Sequence, residues 1–352
     1  MALLWCDSFD HYGTLANMLN GAWAELASTG VSLNTTRPRT GSTCLRITQN
    51  SPSSNIARRV LGGAKTTVGL GMALWIPNLP PGNNEQQIFR WSDATNAVQL
   101  VLFLQSTGVL ELKRGGTVSL GLTSTPVIVA NAYQHVECIA FFSQTVGTFE
   151  CRVNGVTVLS LSGIDTCATA LTECSQVNIA GSFSGSGFSS TDCYVDDLFC
   201  YDDTSSYNNT FIGDRRVLTL FPDANTATAD WTAVGAASGY LCIDEASPND
   251  DTDYITAATT GLVSQFGLQD LPGGISVVNA VVMVERARKT EAGTANTKVS
   301  IVSGASSTAG ADKPLTEVYT YRQDVFQTDP ASAAPFTVAN VNALQFKVER
   351  TA

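Results

Sequence analysis

The chain has 352 residues, of which 44% are hydrophobic and 14% are charged, and it carries a formal net charge of -11 at pH 7. This length favours two domains that each bury a core, and the composition excludes disorder over most of the chain. The negative charge argues against a nucleic-acid backbone or an anionic membrane as partner, because both would repel the protein at ordinary salt.

The first residues, MALLWCDSFD, do not have the pattern of a secretory signal. They lack a positively charged start, their apolar run is short, and an aspartate stands at position 7. The sequence also lacks an apolar run of about 18 residues, the length that spans a bilayer. We therefore expect synthesis in a cytoplasm and no membrane insertion.

Residues 1–203 contain short runs of strand type in quick succession. Each run alternates or is apolar, and each is bounded by Gly, Asn, Pro or Ser. The clearest runs are CLRIT, TTVGLGMALWI, EQQIFRW, AVQLVLFLQ, HVECIAFF, TFECRVNGVTVLSL, SQVNIAG and CYVDDLFCYD. Such a series predicts a jelly-roll sandwich. One short helix is expected within Tyr12–Leu19, and LELKRGGTVSL predicts a hairpin that turns at Gly115 and Gly116.

A polar stretch over residues 204–213 predicts a linker, and residues 214–352 predict a smaller β domain. Its strand candidates are RRVLTLFP, GISVVNAVVMVERARK, TKVSIVSG, VYTYRQDVF and QFKVER. PFTVANVNALQ predicts a short helix, because Thr337 can cap it and Val338, Val341 and Leu344 recur at helical spacing. The expected fold class is all-β, with a jelly-roll sandwich followed by a smaller β domain that has one short helix.

The nine cysteines include no CxxC pair, so a zinc ribbon or a thioredoxin-type site has no support. Most are expected to be small buried hydrophobes. One pair has a sharper interpretation, since symmetric strand pairing about a turn near Gln144 places Cys138 opposite Cys151 and Glu137 opposite Arg152. A disulfide between Cys138 and Cys151 is predicted for a protein that reaches an oxidising environment.

Histidine-based catalysis has little support in the sequence. The two histidines are His11 and His135. His135 lies in the alternating run YQHVEC on the outer face of its strand, and His11 lies in a turn that it can fix by a hydrogen bond. GSFSGSGFS is the nearest approach to a nucleophile elbow, but Phe183 stands where the serine is needed and no helix follows.

Paired carboxylates of the glycosidase type are not found on one strand face. Glu111 comes nearest, but the residues two positions away on its face are Val109 and Lys113. Asp196 and Asp197 are adjacent, so they are expected to point to opposite faces of a sheet. The sequence therefore predicts no catalytic residues, no cofactor and no enzyme activity.

A lectin-like sugar site is an open alternative for the first domain. Its stacking platform needs exposed aromatic rings, and the available rings are those of Tyr12, Trp23, Trp75, Trp91 and Tyr133. Trp75 and Trp91 lie in apolar strands and are expected in the core. Calcium would suit such a domain through loop oxygens. The weak candidates for a metal site are Asp7, Asp10, Asp192 and Asp202.

The acidic stretch DEASPNDDTDY, Asp244–Tyr254, does not fit a calcium loop of the EF-hand type. Counted from its first residue, the sixth is Asn249 where glycine is required, and the twelfth is Ile255 where glutamate is required. The stretch predicts a turn-rich connection into a strand, with its last three aspartates capping backbone amides.

Two sets of motifs resemble known families. HVECIAFFSQTVGTFECRVNGVTVLSL and CYVDDLFCYD look like the paired strands of concanavalin A-like or laminin-G-like jelly rolls, over about residues 1–203. The segments FDHYGT, FIGDRRVLTLFPDA, DWT, DEASPNDDTDYI, FGLQDLP and PFTVANVNALQFKVE, in this order, resemble tailed-bacteriophage virion proteins with an N-terminal lectin-like sandwich.

The second resemblance implies a structural or attachment role in a fibre, collar, whisker, tail or head appendage, and it carries no catalytic residues with it. It implies a location in the virion and a symmetric homo-oligomer whose partners are its own copies, other virion proteins and a host surface. A carbohydrate-binding module for host glycan is the alternative, and a sandwich-fold hydrolase is a third class.

Overall fold

The computed structural model describes residues 2–26, 30–49, 57–179, 183–184 and 191–352. Within these ranges almost all regular structure is antiparallel β-strand, which confirms the predicted all-β class. None of the helices in these ranges has the length and apolar character needed to cross a membrane.

The chain divides into two compact units. The first comprises the residues up to Phe9 together with Trp23–Val217, and the second comprises Asp10–Ala22 together with Leu218–Ala352. The sequence predicts a linker at residues 204–213, whereas this division groups those residues with the first unit and residues 10–22 with the second. Independent folding of either unit stays a prediction.

The first unit is a sandwich of two antiparallel sheets. Its strands are β1 (Leu3–Asp7), β2 (Glu25–Leu26), β3 (Val31–Asn34), β4 (Cys44–Gln49), β5 (Ala57–Lys65), β6 (Thr67–Trp75), β7 (Glu85–Ser92), β8 (Val98–Gln105), β9 (Leu110–Arg114), β10 (Val118–Leu122), β11 (Tyr133–Phe141), β12 (Gly147–Val153), β13 (Val156–Ile164), β14 (Cys174–Ile179), β15 (Phe183–Ser184) and β16 (Thr191–Tyr201). Sheet 1 has the order β13-β12-β11-β6-β16-β4-β3, with β1 on β16. Sheet 2 has the order β10-β9-β8-β7-β14-β5-β2, with β15 on β7.

The core of this unit lies between the two sheets and follows the period-2 alternation of the strands. In β6, Leu70, Met72 and Leu74 face the core and are at most 2% exposed. Trp91 of sheet 2 meets Phe149 of sheet 1 edge to face, with ring centroids 5.9 Å apart. Such a ring pair adds about 1 kcal/mol to the free energy of burial, so these two side chains help to hold the sheets together.

Two glycines of β6 shape the outer face of sheet 1. A Cβ atom on Gly71 would lie 2.2 Å from the Phe199 ring, and one on Gly69 would lie 2.1 Å from the Tyr201 ring. Both positions require glycine, because rings from β16 lie directly on the backbone of β6. His135 of β11 stacks on the same Phe199 ring, with centroids 5.9 Å apart.

Residues 202–217, named here the closing segment, bind to this outer face through buried carboxylates. Glu137 of β11 accepts hydrogen bonds from the backbone N–H groups of Ile212 (2.7 Å) and Gly213 (2.9 Å), and it is 1% exposed. The N–H of Val217 donates to Asp197 (2.8 Å). The predicted strand RRVLTLFP is therefore wrong, because its N–H bonds go to a carboxylate here and the next strand begins only at Pro222.

The expectation that Asp196 and Asp197 point to opposite faces is also wrong. The ladder of β16 with β6 shifts register after Asp196, and Asp197 has a left-handed backbone with φ of 50°. This bulge turns both carboxylates to one side. Asp196 accepts a hydrogen bond from the N–H of Thr40 (3.0 Å), and Asp197 accepts one from the hydroxyl of the same residue (3.0 Å). Burial and the charge of Asp197 raise the pKa of Asp196 to about 7.

The second unit is built on a smaller sheet and two strand pairs. Its strands are β17 (Pro222–Ala229), β18 (Thr232–Val234), β19 (Tyr254–Thr256), β20 (Val263–Leu268), β21 (Val281–Ala287), β22 (Asn296–Ser303), β23 (Ser306–Ala309), β24 (Lys313–Pro314), β25 (Thr320–Phe326) and β26 (Gln345–Arg350). Sheet 3 has the order β17-β20-β26-β22-β23, with β24 on β22, and the pairs are β18-β19 and β21-β25. Phe266 and Phe346 pack at its centre, with centroids 5.3 Å apart.

The described helices of the second unit are short. They are α1 (Leu15–Leu19), a 3-10 turn (Tyr240–Cys242) and α2 (Val338–Asn342). The predicted cap of α2 is confirmed, since the Thr337 hydroxyl accepts a hydrogen bond from the N–H of Asn340 (3.1 Å). Thr14 caps α1 in the same way, at 3.3 Å from the N–H of Asn17. Both predicted helices therefore begin at a threonine that caps them.

The acidic stretch leads into β19, as the sequence predicts, but its aspartates have another role. Asp250 binds the Arg286 guanidinium through two hydrogen bonds of 2.8 Å, and Asp251 binds Arg288 at 2.7 Å. The side chain of Asn249 donates to Asp253 (2.7 Å). Asp250 and Asp251 are therefore neutralised by Arg286 of β21 and by Arg288 just after it, ion pairs that the sequence prediction of backbone caps did not include.

The strand register around the predicted disulfide is confirmed. In the pairing of β11 with β12, Cys138 lies opposite Cys151 and Glu137 lies opposite Arg152. All nine cysteines are free thiols, and burial together with the neighbouring Cys151 raises the pKa of Cys138. Oxidation of this pair stays a prediction.

Refolding in oxidised glutathione tests that prediction. We expect a cross-linked peptide that joins Cys138 to Cys151, because the two side chains are direct cross-strand neighbours within reach of a disulfide. Peptide mass spectrometry without reductant detects it, and Cys138→Ala is the control that must abolish it. Cross-links that leave both thiols free would contradict the prediction.

Candidate functional site

The outer face of sheet 2 carries a row of side chains that crosses seven strands. Trp91 and Val177 face the core, so their neighbours Arg90 and Asn178 lie on the outer face. Successive partners along the ladders place these side chains side by side. The resulting set, named here the polar row, is Ser119, Lys113, Val101, Arg90, Asn178, Arg58 and Glu25. At about 4.8 Å per strand, the polar row is roughly 30 Å long.

One end of the polar row is centred on Lys113. Its Nζ lies 2.6 Å from Glu85 and 3.4 Å from Glu111, and it stands 5.1 Å from the centre of the Phe103 ring. Burial would lower the pKa of Lys113, but the hydrogen bonds and charges of the two glutamates outweigh it and raise that pKa. Lys113 is therefore a fixed cation at neutral pH.

Glu111 is also held in its charged form. Burial would raise its pKa, but hydrogen bonds from Ser119 and Gln105, together with Lys113, lower it. Glu85 and Glu111 contact the same ammonium group, at 2.6 Å and 3.4 Å from its Nζ. The lowered pKa of Glu111 suits ion pairing with Lys113 rather than protonation of a leaving group.

The middle of the polar row contains Arg90, Asn178 and Arg58. Arg90 donates to the Ser92 hydroxyl (3.1 Å) and to the carbonyl of Asn96 (3.4 Å). Burial, and then the charge of Arg58, lower the pKa of Arg90. The Asn178 side chain is 1% exposed, and within the described ranges neither its Oδ1 nor its Nδ2 has a hydrogen-bond partner.

Arg58 is bound differently from Arg90. It donates to Gln176 (2.7 Å) and forms an ion pair with Glu25 (3.0 Å) at the edge of the sheet. Val60, two residues further along β5 and on the same face, is 52% exposed. The outer face of sheet 2 therefore combines fixed charges, amide groups and exposed apolar surface, the mixture that polar ligands with apolar faces require.

The structure places the two histidines in packing roles. The His11 ring lies 4.1 Å from Tyr12 and 5.5 Å from Tyr321 in the second unit, and its carbonyl accepts a hydrogen bond from the Tyr321 hydroxyl (2.8 Å). His135 lies on the outer face of sheet 1, as predicted, but the closing segment leaves it 1% exposed. Of the elbow-like GSFSGSGFS, only Phe183 and Ser184 lie within the described residues.

Three of the four calcium candidates bind protein donors. Asp7 accepts from the Trp23 indole (3.0 Å), Asp192 pairs with Arg46 (2.9 Å), and Asp202 pairs with Lys65 (2.9 Å). Asp10 is 9% exposed and lies in the second unit. Asp192 and Asp202 stand at opposite ends of β16, roughly 30 Å apart along the strand. Among the described residues, no three His, Cys, Asp or Glu side chains cluster so that they could hold a metal ion.

The aromatic candidates are mostly unavailable to a sugar. Trp23, Trp91 and Tyr12 are at most 2% exposed, and Trp75 is 7% exposed beneath the Arg37 guanidinium. Tyr133 is half-buried and donates its hydroxyl to the carbonyl of Arg37. The predicted core position of the strand tryptophans is confirmed, and a sugar site must use other groups.

A shallow cleft of about 510 Å³ lies beside the turn that joins β9 to β10. Its lining includes Arg114 and Asp165, which form an ion pair with each other. The charged groups of the cleft are thus already paired, whereas Arg90 at the middle of the polar row donates to a hydroxyl and a carbonyl within the described residues.

The sequence search missed the polar row because its members come from seven different strands. Glu85 is a clear example, since the search compared positions two apart on one strand, and Glu85 reaches Glu111 from another strand through Lys113. Alternation alone places each side chain on a face, but only the strand order brings the seven together.

No protein-family model and no curated protein matches the chain. Solved structures with a similar sandwich include "Cellulose induced protein, Cip1", at 18% identity and a TM-score of 0.40, over 51% of this chain and 90% of that chain. They also include alginate lyase Aly36B, at 13% identity and a TM-score of 0.42, over 56% of this chain and 96% of that chain. A GH131 β-glucanase catalytic domain from Podospora anserina is similar at 14% identity and a TM-score of 0.38, over 57% of this chain and 96% of that chain. These likenesses concern the fold alone.

The prediction that the protein is not an enzyme is corrected by this comparison. Several of the solved structures with a similar sandwich are alginate lyases, and one is a glucanase catalytic domain. A sandwich of this kind therefore gives no ground for excluding catalysis. Glu85 approaches Glu111 from another strand through Lys113, a pairing that the spacing within single strands does not cover.

Proposed function

We propose that the first unit binds carbohydrate on the outer face of sheet 2. The observation that carries this proposal is the polar row, a line of charged, amide and hydroxyl side chains, interrupted by Val101, across a sheet whose other face is core. An extended row of this kind offers a chain of sugar units repeated hydrogen bonds, and exposed Val60 offers apolar surface to sugar rings.

Fixed geometry supports the proposal further. Lys113 is held between Glu85 and Glu111, and Arg58 between Gln176 and Glu25, so their donors are positioned before any ligand arrives. Side chains that are already ordered lose little conformational entropy on binding, which favours affinity. Sheet 1 offers no matching surface over β6, β11 and β16, where the closing segment covers Glu137.

A glycan array probed with the full chain tests the proposal. We expect binding to at least one polysaccharide, and amide hydrogen exchange with that ligand should then show protection in β5, β7, β8, β9 and β14. Lys113→Met should weaken binding about tenfold, because it removes a fixed donor but keeps the side-chain stem. Lys298→Met, which breaks an ion pair with Glu349 in the second unit, is the matched control and should leave binding unchanged. If the array shows no binding, or if protection is confined to sheet 1, the proposal is wrong.

The finer proposal is that this binding attaches a tailed-phage particle to a host glycan. Its support is the order of motifs from FDHYGT to PFTVANVNALQFKVE in the sequence. The protein would then be a homo-oligomeric virion component in contact with other virion proteins. Immunogold labelling of purified particles with an antibody raised against the recombinant chain is the test, and unlabelled particles would contradict it.

A further inference from the structure

We propose that Arg90 and Asn178 form a subsite for the carboxylate of an acidic sugar unit, so that the preferred ligand is a polyuronic acid. This inference rests on the proposed function and names the substrate class of the same face. It starts from two groups at the middle of the polar row whose bonding is incomplete.

Arg90 is the first of these groups. The other two cations of the polar row have carboxylate partners, since Lys113 binds Glu85 and Glu111 and Arg58 binds Glu25. Within the described part of the chain, Arg90 instead donates to one hydroxyl and one carbonyl. A half-buried guanidinium in that condition lacks the anion with which it forms its strongest hydrogen bonds.

Asn178 is the second group. It lies directly opposite Arg90 on one neighbouring strand and opposite Arg58 on the other. Its amide is 1% exposed and, among the residues that the structure describes, has no hydrogen-bond partner at either Oδ1 or Nδ2. Buried amides without partners are rare because they destabilise the folded protein, so an unpartnered one beside a half-buried arginine indicates a bound partner.

The two groups together specify the ligand. Arg90 and the Nδ2 of Asn178 need acceptors, and the Oδ1 of Asn178 needs a donor. A uronic acid unit supplies both, because its planar carboxylate accepts from the guanidinium and the amide, and its ring hydroxyls donate. A neutral sugar supplies the hydroxyls but no anion. A sulfated sugar supplies an anion, but a sulfate ester is the conjugate base of a much stronger acid than a carboxylate and is therefore the weaker hydrogen-bond acceptor.

Three probes separate these possibilities on the full chain. Isothermal titration with polygalacturonate, with its methyl ester and with dextran sulfate should give the highest affinity for polygalacturonate, by at least tenfold. The methyl ester keeps the sugar rings and removes the charge. Equal affinity for polygalacturonate and its ester would overturn the carboxylate subsite while leaving carbohydrate binding intact. Preference for dextran sulfate would also overturn it. If none of the three probes binds and the glycan array also shows no binding, the proposed function itself is wrong.

Variants at the subsite give a second, independent readout. Asn178→Leu should weaken polygalacturonate binding at least tenfold and also raise the midpoint of thermal unfolding by about 2–4 °C, since it removes two unpartnered polar atoms from a buried site. Asn178→Asp should abolish binding and raise the midpoint as well, because it places a carboxylate beside Arg90 within the protein. A purely structural asparagine would show the opposite pattern, with lower midpoints and unchanged affinity.

Arg90→Gln tests the charge alone. We expect at least a tenfold loss of affinity for polygalacturonate and no change for the methyl ester. Arg46→Gln is the matched control, because it removes one positive charge from sheet 1, where Arg46 pairs with Asp192. Equal losses in the two variants would show a general charge effect and overturn the subsite.

Discussion

Replacing Glu137 by leucine should lower the free energy of unfolding of the first unit by about 3–5 kcal/mol. The carboxylate accepts the N–H groups of Ile212 and Gly213, and both would remain buried without a partner. The change also leaves Arg152 of β12 without the carboxylate whose charge it faces across the strand pair. We expect the closing segment to detach from sheet 1 before the sandwich unfolds.

Two measurements check this expectation. Four of the five tryptophans (Trp5, Trp23, Trp75 and Trp91) belong to the first unit, so denaturant unfolding followed by tryptophan fluorescence reports mainly on it. Limited trypsin digestion reports on the closing segment, because cleavage after Arg215 and Arg216 should become much faster when that segment detaches.

Glu150→Leu is the matched control for Glu137→Leu. It makes the same change on the neighbouring strand β12, where the side chain is 28% exposed and pairs with Arg152 (2.7 Å). A partly exposed ion pair of this type is worth less than about 1 kcal/mol. If both variants lost stability equally, the carboxylate of Glu137 would not be what holds the closing segment.

The sequence predicts the elements of this fold better than it predicts their assembly. Alternation and turn residues are local, so the hairpin at Gly115 and Gly116, the register of Cys138 with Cys151 and the Thr337 cap could all be read from short stretches. Each of these features depends on residues fewer than about twenty positions apart.

The features that the sequence missed depend on distant pairings. Asp196 and Asp197 point to one side because of a bulge in β16. Thr40, which donates hydrogen bonds to both carboxylates, lies far away in the chain. The burial of His135 and Glu137 follows from the closing segment, whose polar composition predicts a linker and whose Ile212 lies 75 positions from Glu137 in the chain. The polar row needs the order of seven strands, which alternation within each strand does not contain.

Replacing His135 by phenylalanine should remove most of an acid-dependent loss of stability. Burial lowers the pKa of His135 from its ordinary 6.5 to about 4, with Arg39 and Arg215 acting in the same direction and Asp214 against it. As the pH falls from 6.5 to 4, the unfolded chain takes up a proton that the folded protein does not. The contribution of His135 to stability is thus full above pH 6.5 and falls by about 3 kcal/mol by pH 4.

Asp196 has the opposite effect on the same face of sheet 1. Its pKa is raised to about 7, so as the pH falls below 7 the folded protein takes up this proton first and gains stability. The pH profile of the unmodified protein therefore combines two opposing contributions. The difference between His135→Phe and the unmodified protein isolates the histidine, because Asp196 is present in both.

We expect this difference in the free energy of unfolding to be about 0–1 kcal/mol at pH 7 and to grow to about 3 kcal/mol in favour of the variant at pH 4. Phenylalanine keeps the stack on Phe199 and removes two ring nitrogens that have no hydrogen-bond partner in the part of the chain that the structure describes. Denaturant unfolding followed by tryptophan fluorescence, at four pH values between 4 and 7, measures this difference in the free energy of unfolding. His11→Phe, which changes the other histidine and lies in the second unit, should leave the pH profile of the first unit unchanged. A difference that stays constant from pH 7 to pH 4 would mean that His135 binds its proton equally well in the folded and unfolded chain, and that burial under the closing segment does not keep it neutral.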